Sequence, residues 1–523
     1  MLVRDVAYGS IPRAARAERH RRAAEWIESL GRPEGQADLL AHHYLSALEL
    51  ARAAGVDAGV LAESAANALQ RAGERAFALN AFVSAARFFE EALELGVADE
   101  ERPHVLFRLA AALHRSGDTR RVDRLEQARD ALVAAADPET AAEACALLAE
   151  AWWDQGQNER GREQLDRARE LVRGRPASRS AARVLLEVSR YAMLADETEE
   201  AVRTGREALE MADALGLAEL VPAALINIGS ARANAGDEGG VADLQRAAEI
   251  AAATNNPDLA RAYNNLAAME SHAEAGYELL LQGKEAADRL GNAPVGRYIE
   301  GQLVLSMFGL GHWDEFVHAA AEFIAACEAG SPNYNEQYVH VDLAELYLAR
   351  DDVDAAVAAA ARALGLAREA NEPQALQPAL GRQILVDLAI GRISNARRSA
   401  QELLSLLDRS ATSFGLMRLA LAADVLGVRD ELPRILASRT PRYSVRAAAA
   451  ILDGEFERAA DIAAENGWRV DEAELRLRAA EALVAAGRRS EADIQLQRAL
   501  AFYRSVGATR YIREGEALLA ATA

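Results

Sequence analysis

A helical hairpin that recurs along almost the whole chain decides what it can fold into. Turn residues fall at Asn80, Gly117, Gly156, Asp196, Gly236, Glu274, Gly311, Asp351, Gly391, Gly427, Gly454 and Gly487, at intervals of 37, 39, 40, 40, 38, 37, 40, 40, 36, 27 and 33 residues. Eight of these twelve residues are Gly, which reaches the positive φ that ends one helix and sends the chain back. A unit of this size cannot bury its apolar face alone, so neighbours must stack into a solenoid. Small residues, or a branched apolar residue before the turn, keep a register about the turns: Ala72, Gly73, Ala85 and Ala92 about Asn80; Leu343, Ala344, Ala356 and Ala363 about Asp351; Ala479, Ala480, Ala492 and Ala499 about Gly487. Two antiparallel helices approach closely only where Ala or Gly faces the partner. Leu69, Phe89, Trp152 and Leu225 are the large residues expected to fill the space between hairpins.

This register resembles the tetratricopeptide repeat, whose small residues sit at the eighth, twentieth and twenty-seventh of about 34 positions. Most units here are longer, the closing Pro is missing, and the unit between Gly427 and Gly454 is too short for two full helices. The fold expected is all-α, a right-handed superhelical solenoid of about twelve TPR-like hairpins over residues 58–505, with a possible break near 405–455. A capping helix is expected over 506–523. Residues 1–57 stand outside the repeat, with a helix entering at Pro12.

The chain is 51% hydrophobic but only 5% aromatic, which implies a core of Ala and Leu. No run of alternating β-branched residues reads as a strand, and no stretch of about 18 uncharged apolar residues could span a membrane. No apolar segment follows Met1–Asp5 to make a signal peptide. Cys145 and Cys327 fall in separate predicted helices, which fits a reducing cytoplasm better than a disulfide framework. A net charge of −21 argues against direct binding of nucleic acid. Lys284 is the only lysine, so no Gly-x-x-x-x-Gly-Lys-Ser/Thr phosphate loop exists in this chain. Gly-x-Ser-x-Gly, Cys-x-x-Cys, His-Glu-x-x-His and glycine-rich dinucleotide motifs are likewise missing. Carboxylates follow solvated helix faces. The reading is a non-catalytic chain without a cofactor.

The blocks LVRDVAY, IPRAARAERHRRAAEWIE and LLAHHYLSALE near the start, and the closing RLRAAEALVAAGRRSEADIQLQRALAFYRSVGATRYIREGEALLA over 476–520, resemble actinobacterial STAND-class ATPase regulators. In these a cyclase or LuxR-type output domain accompanies an ATPase and a helical-repeat sensor. The resemblance covers only their C-terminal half; the ATPase and any adenylate/guanylate cyclase module lie outside it. It implies a protein-interaction and signal-sensing module acting on an ATPase/cyclase module in cis. Beginning mid-motif, the chain reads as a fragment of such a protein. The other readings are a stand-alone scaffold binding a peptide in its groove, a small-ligand receptor, and a fragment of an ATP-binding cyclase protein. Trp26, Ile27, Leu39 and Leu40 are the residues expected to face the ATPase.

Within the repeats, Trp153, one step round the helix from Trp152, points toward the concave surface. Asn227, Asn264 and Asn265 sit mid-helix, where Asn is a poor helix former; their amides either bond an extended peptide or tie to the neighbouring repeat. Arg190, Arg232, Tyr298 and Tyr338 map to the same face as charged and aromatic anchors. His42 and His43 point about 100° apart on a helix and cannot jointly ligate a metal. His312 and His318 lack a ligand partner at metal spacing. No metal site is expected.

Overall fold

The computed structural model describes residues 8–30, 33–410 and 412–522. The LVRDVAY block therefore falls almost entirely outside the described residues. Those residues form an all-α superhelical repeat of 27 helices, with no strand among them. Twelve antiparallel hairpins run from Gly59 to Val506, and the helix Thr509–Thr522 closes the array. Residues 13–53 add a further hairpin in front: Arg13–Ser29 follows Pro12, passes through a 3₁₀ turn at Pro33–Gln36 and returns as Ala37–Ala53.

Eleven of the twelve expected turn residues hold positive φ, among them the non-glycines Asn80, Asp196 and Asp351 at 59°, 63° and 64°. Glu274 is the exception. It lies inside the helix Ala273–Leu290, and the preceding helix ends instead at an extended Glu270. The shift has a physical cause. Ser271 and Ala273 bond to distant residues, so that connection is shaped by its partners and needs no left-handed residue. A second set of positive-φ residues, including Gly216, Asn255, Gly330 and Asn371, turns many of the hairpins into the next.

Over 416–465 the helices shrink, with Leu432–Ala437 only 6 residues and Tyr443–Leu452 and Phe456–Glu465 10 residues each. Neighbouring helices still pack in sequence through this stretch. The chain divides into two compact units elsewhere: residues 1–151, 166–175 and 290–294 make one, and 152–165, 176–289 and 295–523 the other.

The smaller unit is built as the register requires. Gly73 lies under the ring of Phe89, so close that a Cβ there would stand 2.7 Å from the ring edge. Ile27 and Leu40 are buried with Tyr44, Leu48 and Leu69 in one cluster.

In the larger unit the first helices of successive hairpins lie side by side: Val221–Asn234 between Arg179–Leu194 and Leu259–Met269, and Pro373–Ala389 between Glu336–Ala349 and Leu416–Leu426. Side chains cross these seams with the repeat period. The Asn227 amide donates to Leu186 O at 2.9 Å, and Asn335 donates to Tyr298 O at 2.7 Å. A second, longer period is superimposed. Tyr334 N donates to Asp154 O at 3.1 Å and Asn158 to Ala370 O at 2.7 Å. Ser410 and Thr412 bond the Asp196 carboxylate, and Arg442 reaches Ala233 O at 2.8 Å. Trp468 donates to Ser271 O at 3.0 Å, and Ala273 N donates to Asn466 O at 2.9 Å. Partners in this set lie up to 216 residues apart, so these four successive turns dock on hairpins about five repeats later.

Candidate recognition face of the larger unit

The first helices carry two polar groupings. At one, Trp153 stacks on Tyr334 with centroids 4.8 Å apart and planes at 19°. Tyr298 stands 5.7 Å from Trp153, Tyr338 stands 5.9 Å from Tyr334, and the Arg190 guanidinium lies 4.5 Å over the indole. The Tyr334 hydroxyl donates to Glu372 Oε2 at 2.9 Å, and that of Tyr338 donates to Gln374 O at 3.1 Å. Glu372 is 1% exposed. Burial pushes its carboxyl up to about 7, against the Tyr334 bond, Arg162, Arg190 and the Trp153 N–H. Its Oε1 has no partner within hydrogen-bond geometry.

The second grouping is ionic. Arg418 bonds Asp471 at 2.6 Å, reaches Glu345 at 3.7 Å and pairs with Glu474, while Arg382 pairs with Glu345. The Tyr443 hydroxyl donates to Asp471. Asp342, one helical turn beyond Tyr338, makes no ion pair or hydrogen bond with the described residues; it feels Arg382 and Arg418 only through space. Burial raises the carboxyls of Asp342, Asp471 and Glu474. It also opposes the charge on Arg418, but Asp471, Glu345 and Glu474 outweigh that and hold the guanidinium protonated. Four carboxylates thus share two guanidinium groups in a partly desolvated place.

Four of the residues singled out from the sequence come together here: Trp153, Arg190, Tyr298 and Tyr338. Trp153 is the more buried of the tryptophan pair, while Trp152 is partly exposed and carries Arg160 at 4.8 Å. Of the asparagines, Asn227 and Asn265 tie to the neighbouring repeat, while Asn264 bonds within its own helix. Asn227 bonds Leu186 O, Asn265 donates to Ser230 Oγ at 2.8 Å, and Asn264 donates to Asn265 at 3.1 Å. Arg232 is drawn to the turn, where it bonds Asp237 at 2.8 Å and pairs with Asp243. In the smaller unit Trp26 and Leu39 are 63% and 47% exposed, whereas Ile27 and Leu40 are core residues and offer no docking surface. His318 is exposed beside Glu322, and His312 precedes the helix Trp313–Glu328. His42 and His43 gain a third ring, His20, from the front helix.

Sequence reasoning missed the ionic grouping, although a signal was available. Asp342, Arg382, Arg418 and Arg478 each stand nine residues before their turn residue, Asp351, Gly391, Gly427 and Gly487. Gln302 and Asn227 hold the same place before Gly311 and Gly236. A recurrent polar residue at one register position, surrounded by Ala and Leu, marks a face with a different use.

No family model matches the sequence, and no curated protein matches it. Several solved structures share its helical-repeat character. A Rap protein complexed with competence and sporulation factor is 13% identical over 66% of this chain and 98% of its own, with a TM-score of 0.48. A chain in the structure of the APC/C hetero-tetramer Cut9–Hcn1 is 12% identical over 88% of this chain and 94% of its own, with a TM-score of 0.43. A STAND protein with a tetratricopeptide repeat sensor from Pyrococcus horikoshii is 17% identical over 64% of this chain and 49% of its own, with a TM-score of 0.36. At these values the likenesses describe a type of fold.

Proposed function

We propose that this chain is a non-catalytic recognition module that takes a basic protein segment or peptide on the first-helix face of its larger unit. One observation carries the reading: Asp342 and its neighbours crowd four carboxylates about two guanidinium groups where packing alone would use Ala or Leu. A buried ionic cluster of this kind costs several kcal/mol relative to well-packed apolar residues. Tyr338, one turn away, adds an aromatic surface suited to a cation.

The experiment uses two fluorescent nonapeptides of matched length, one lysine-rich and one glutamate-rich, titrated into the full chain at 0.3 M salt to screen long-range attraction. Photo-crosslinking then locates the bound peptide. The lysine-rich peptide should crosslink to the first helices and bind at least tenfold more weakly to Asp342→Arg. Equal affinity in the variant, or crosslinks confined to the second helices, would overturn the proposal.

A second reading concerns the smaller unit, where exposed Trp26 and Leu39 suit an apolar partner such as the ATPase of a STAND-type regulator. In-frame translation of the DNA upstream of Met1 tests it. A phosphate-loop motif there would support the reading, and a stop codon would overturn attachment in cis.

A further inference from the structure

The front hairpin holds an arrangement that neither reading uses. His20, on Arg13–Ser29, meets His43, on Ala37–Ala53, with Nδ1 of one ring 2.9 Å from Nδ1 of the other. At that distance one nitrogen donates and the other accepts, so at least one imidazole is neutral. The far nitrogen of His20 is held by the Tyr8 hydroxyl at 2.7 Å. His42 closes the group, its ring centroid 5.4 Å from His43 and 6.1 Å from His20.

We propose that His20, His42 and His43 form an acid-sensitive latch that holds the helix Arg13–Ser29 against Ala37–Ala53. The bond that joins the two helices consumes a lone pair. Protonation of both rings replaces it with two cationic N–H groups facing each other at contact distance. The charged groups acting on the pair are basic, while His42 shares a cleft with Asp38, Arg75, Arg87 and Glu91 from its own and the following helices. Arg16 stands on the front helix, its guanidinium 5.0 Å over the Tyr8 ring, and His42 stands on the second helix. Glu18, a carboxylate of the front helix, is already bonded by Arg21 and Arg22. Among the described residues no group of three or more His, Cys, Asp or Glu is arranged to hold a metal ion.

Burial first, then the neighbouring imidazoles, hold His20 below the usual 6.5, with Arg16 adding to the effect; burial and His42 do the same to His43. Groups with depressed histidine pKa values bind fewer protons folded than unfolded. Their contribution to stability is therefore complete above about pH 6.5 and declines as the pH falls below it. The latch is closed at neutral pH and opens in mild acid.

The test is hydrogen exchange of the intact chain at pH 7.5 and 5.5, corrected for intrinsic rates, together with NMR titration of ¹⁵N-labelled histidine rings. We expect the amides of Arg13–Ser29 to exchange at least tenfold faster at pH 5.5 while those of Arg469–Ala485 hold steady, and His20 and His43 to titrate below 6.5. His20→Gln should remove the pH dependence. Unchanged protection at pH 5.5 once both rings are charged, or titration of both at the ordinary value, would overturn the proposal. The ring titration is read on the unmodified protein, so it decides even if the variant folds poorly.

Discussion

Replacing Glu372 with Gln should reverse sign as a stability change between mild acid and mild alkali. A free glutamate titrates near 4.5, and burial raises Glu372 to about 7. An acid whose pKa is raised by folding binds more protons in the folded state. Its favourable contribution is full below pH 4.5 and is lost as the pH climbs through 7. The interval corresponds to ~3 kcal/mol of penalty for carrying the charge at pH 8.5, at ~1.4 kcal/mol per pH unit. Glutamine cannot ionise and so escapes this penalty. Its carbonyl can keep the Tyr334 bond, but its NH₂ must then face the Trp153 N–H, a mismatch of ~1 kcal/mol. The variant should gain ~2 kcal/mol at pH 8.5 and lose ~1 kcal/mol at pH 4.5. Hydrogen exchange of the segments around Tyr334 and Glu372 reads this directly, as amides roughly thirtyfold slower to open at pH 8.5, taking tenfold per ~1.4 kcal/mol. A variant indistinguishable from the parent at pH 8.5, or a parent whose protection is flat from pH 4.5 to 8.5, would refute the argument that burial governs this carboxyl.

Gly73→Ala should destabilise the smaller unit by ~1–3 kcal/mol, because its new methyl meets the buried Phe89 ring, as thermal unfolding would register. At Asp196, Gly and Ala replacements separate two roles. Both lose the Ser410 and Thr412 bonds, but only Ala must also hold a φ of 63°, so Ala should cost ~1 kcal/mol more than Gly in a urea titration.

The hairpins were legible because their determinants are local: a left-handed residue at the turn and small residues at fixed distances from it. The site was half legible. Tyr338 and Arg190 could be placed by register, but whether an amide faces a ligand or a neighbouring repeat depends on a partner about 40 residues away, and for Asn227 the backbone of Leu186 wins. Ile27 and Leu40 were misread for a related reason. Their apolar character is visible in the sequence, but the Leu69 cluster that covers them belongs to the next hairpin. Least legible were the contacts over 180–216 residues. Asp154, Asp196 and Ser271 look like ordinary turn residues, and no local pattern shows which hairpin will meet them.

Those long contacts change how the array should come apart. A solenoid whose repeats touch only their neighbours behaves as a row, and can lose end units one at a time while the remainder stays intact. In the larger unit hairpins answer to their sequence neighbours, and four successive turns also answer to a hairpin about five repeats away. The row becomes a lattice, in which loosening Tyr443–Leu452 also strips support from Ala233. Its melting should be collective, and shortening it from the C-terminus should subtract more than the hairpins removed.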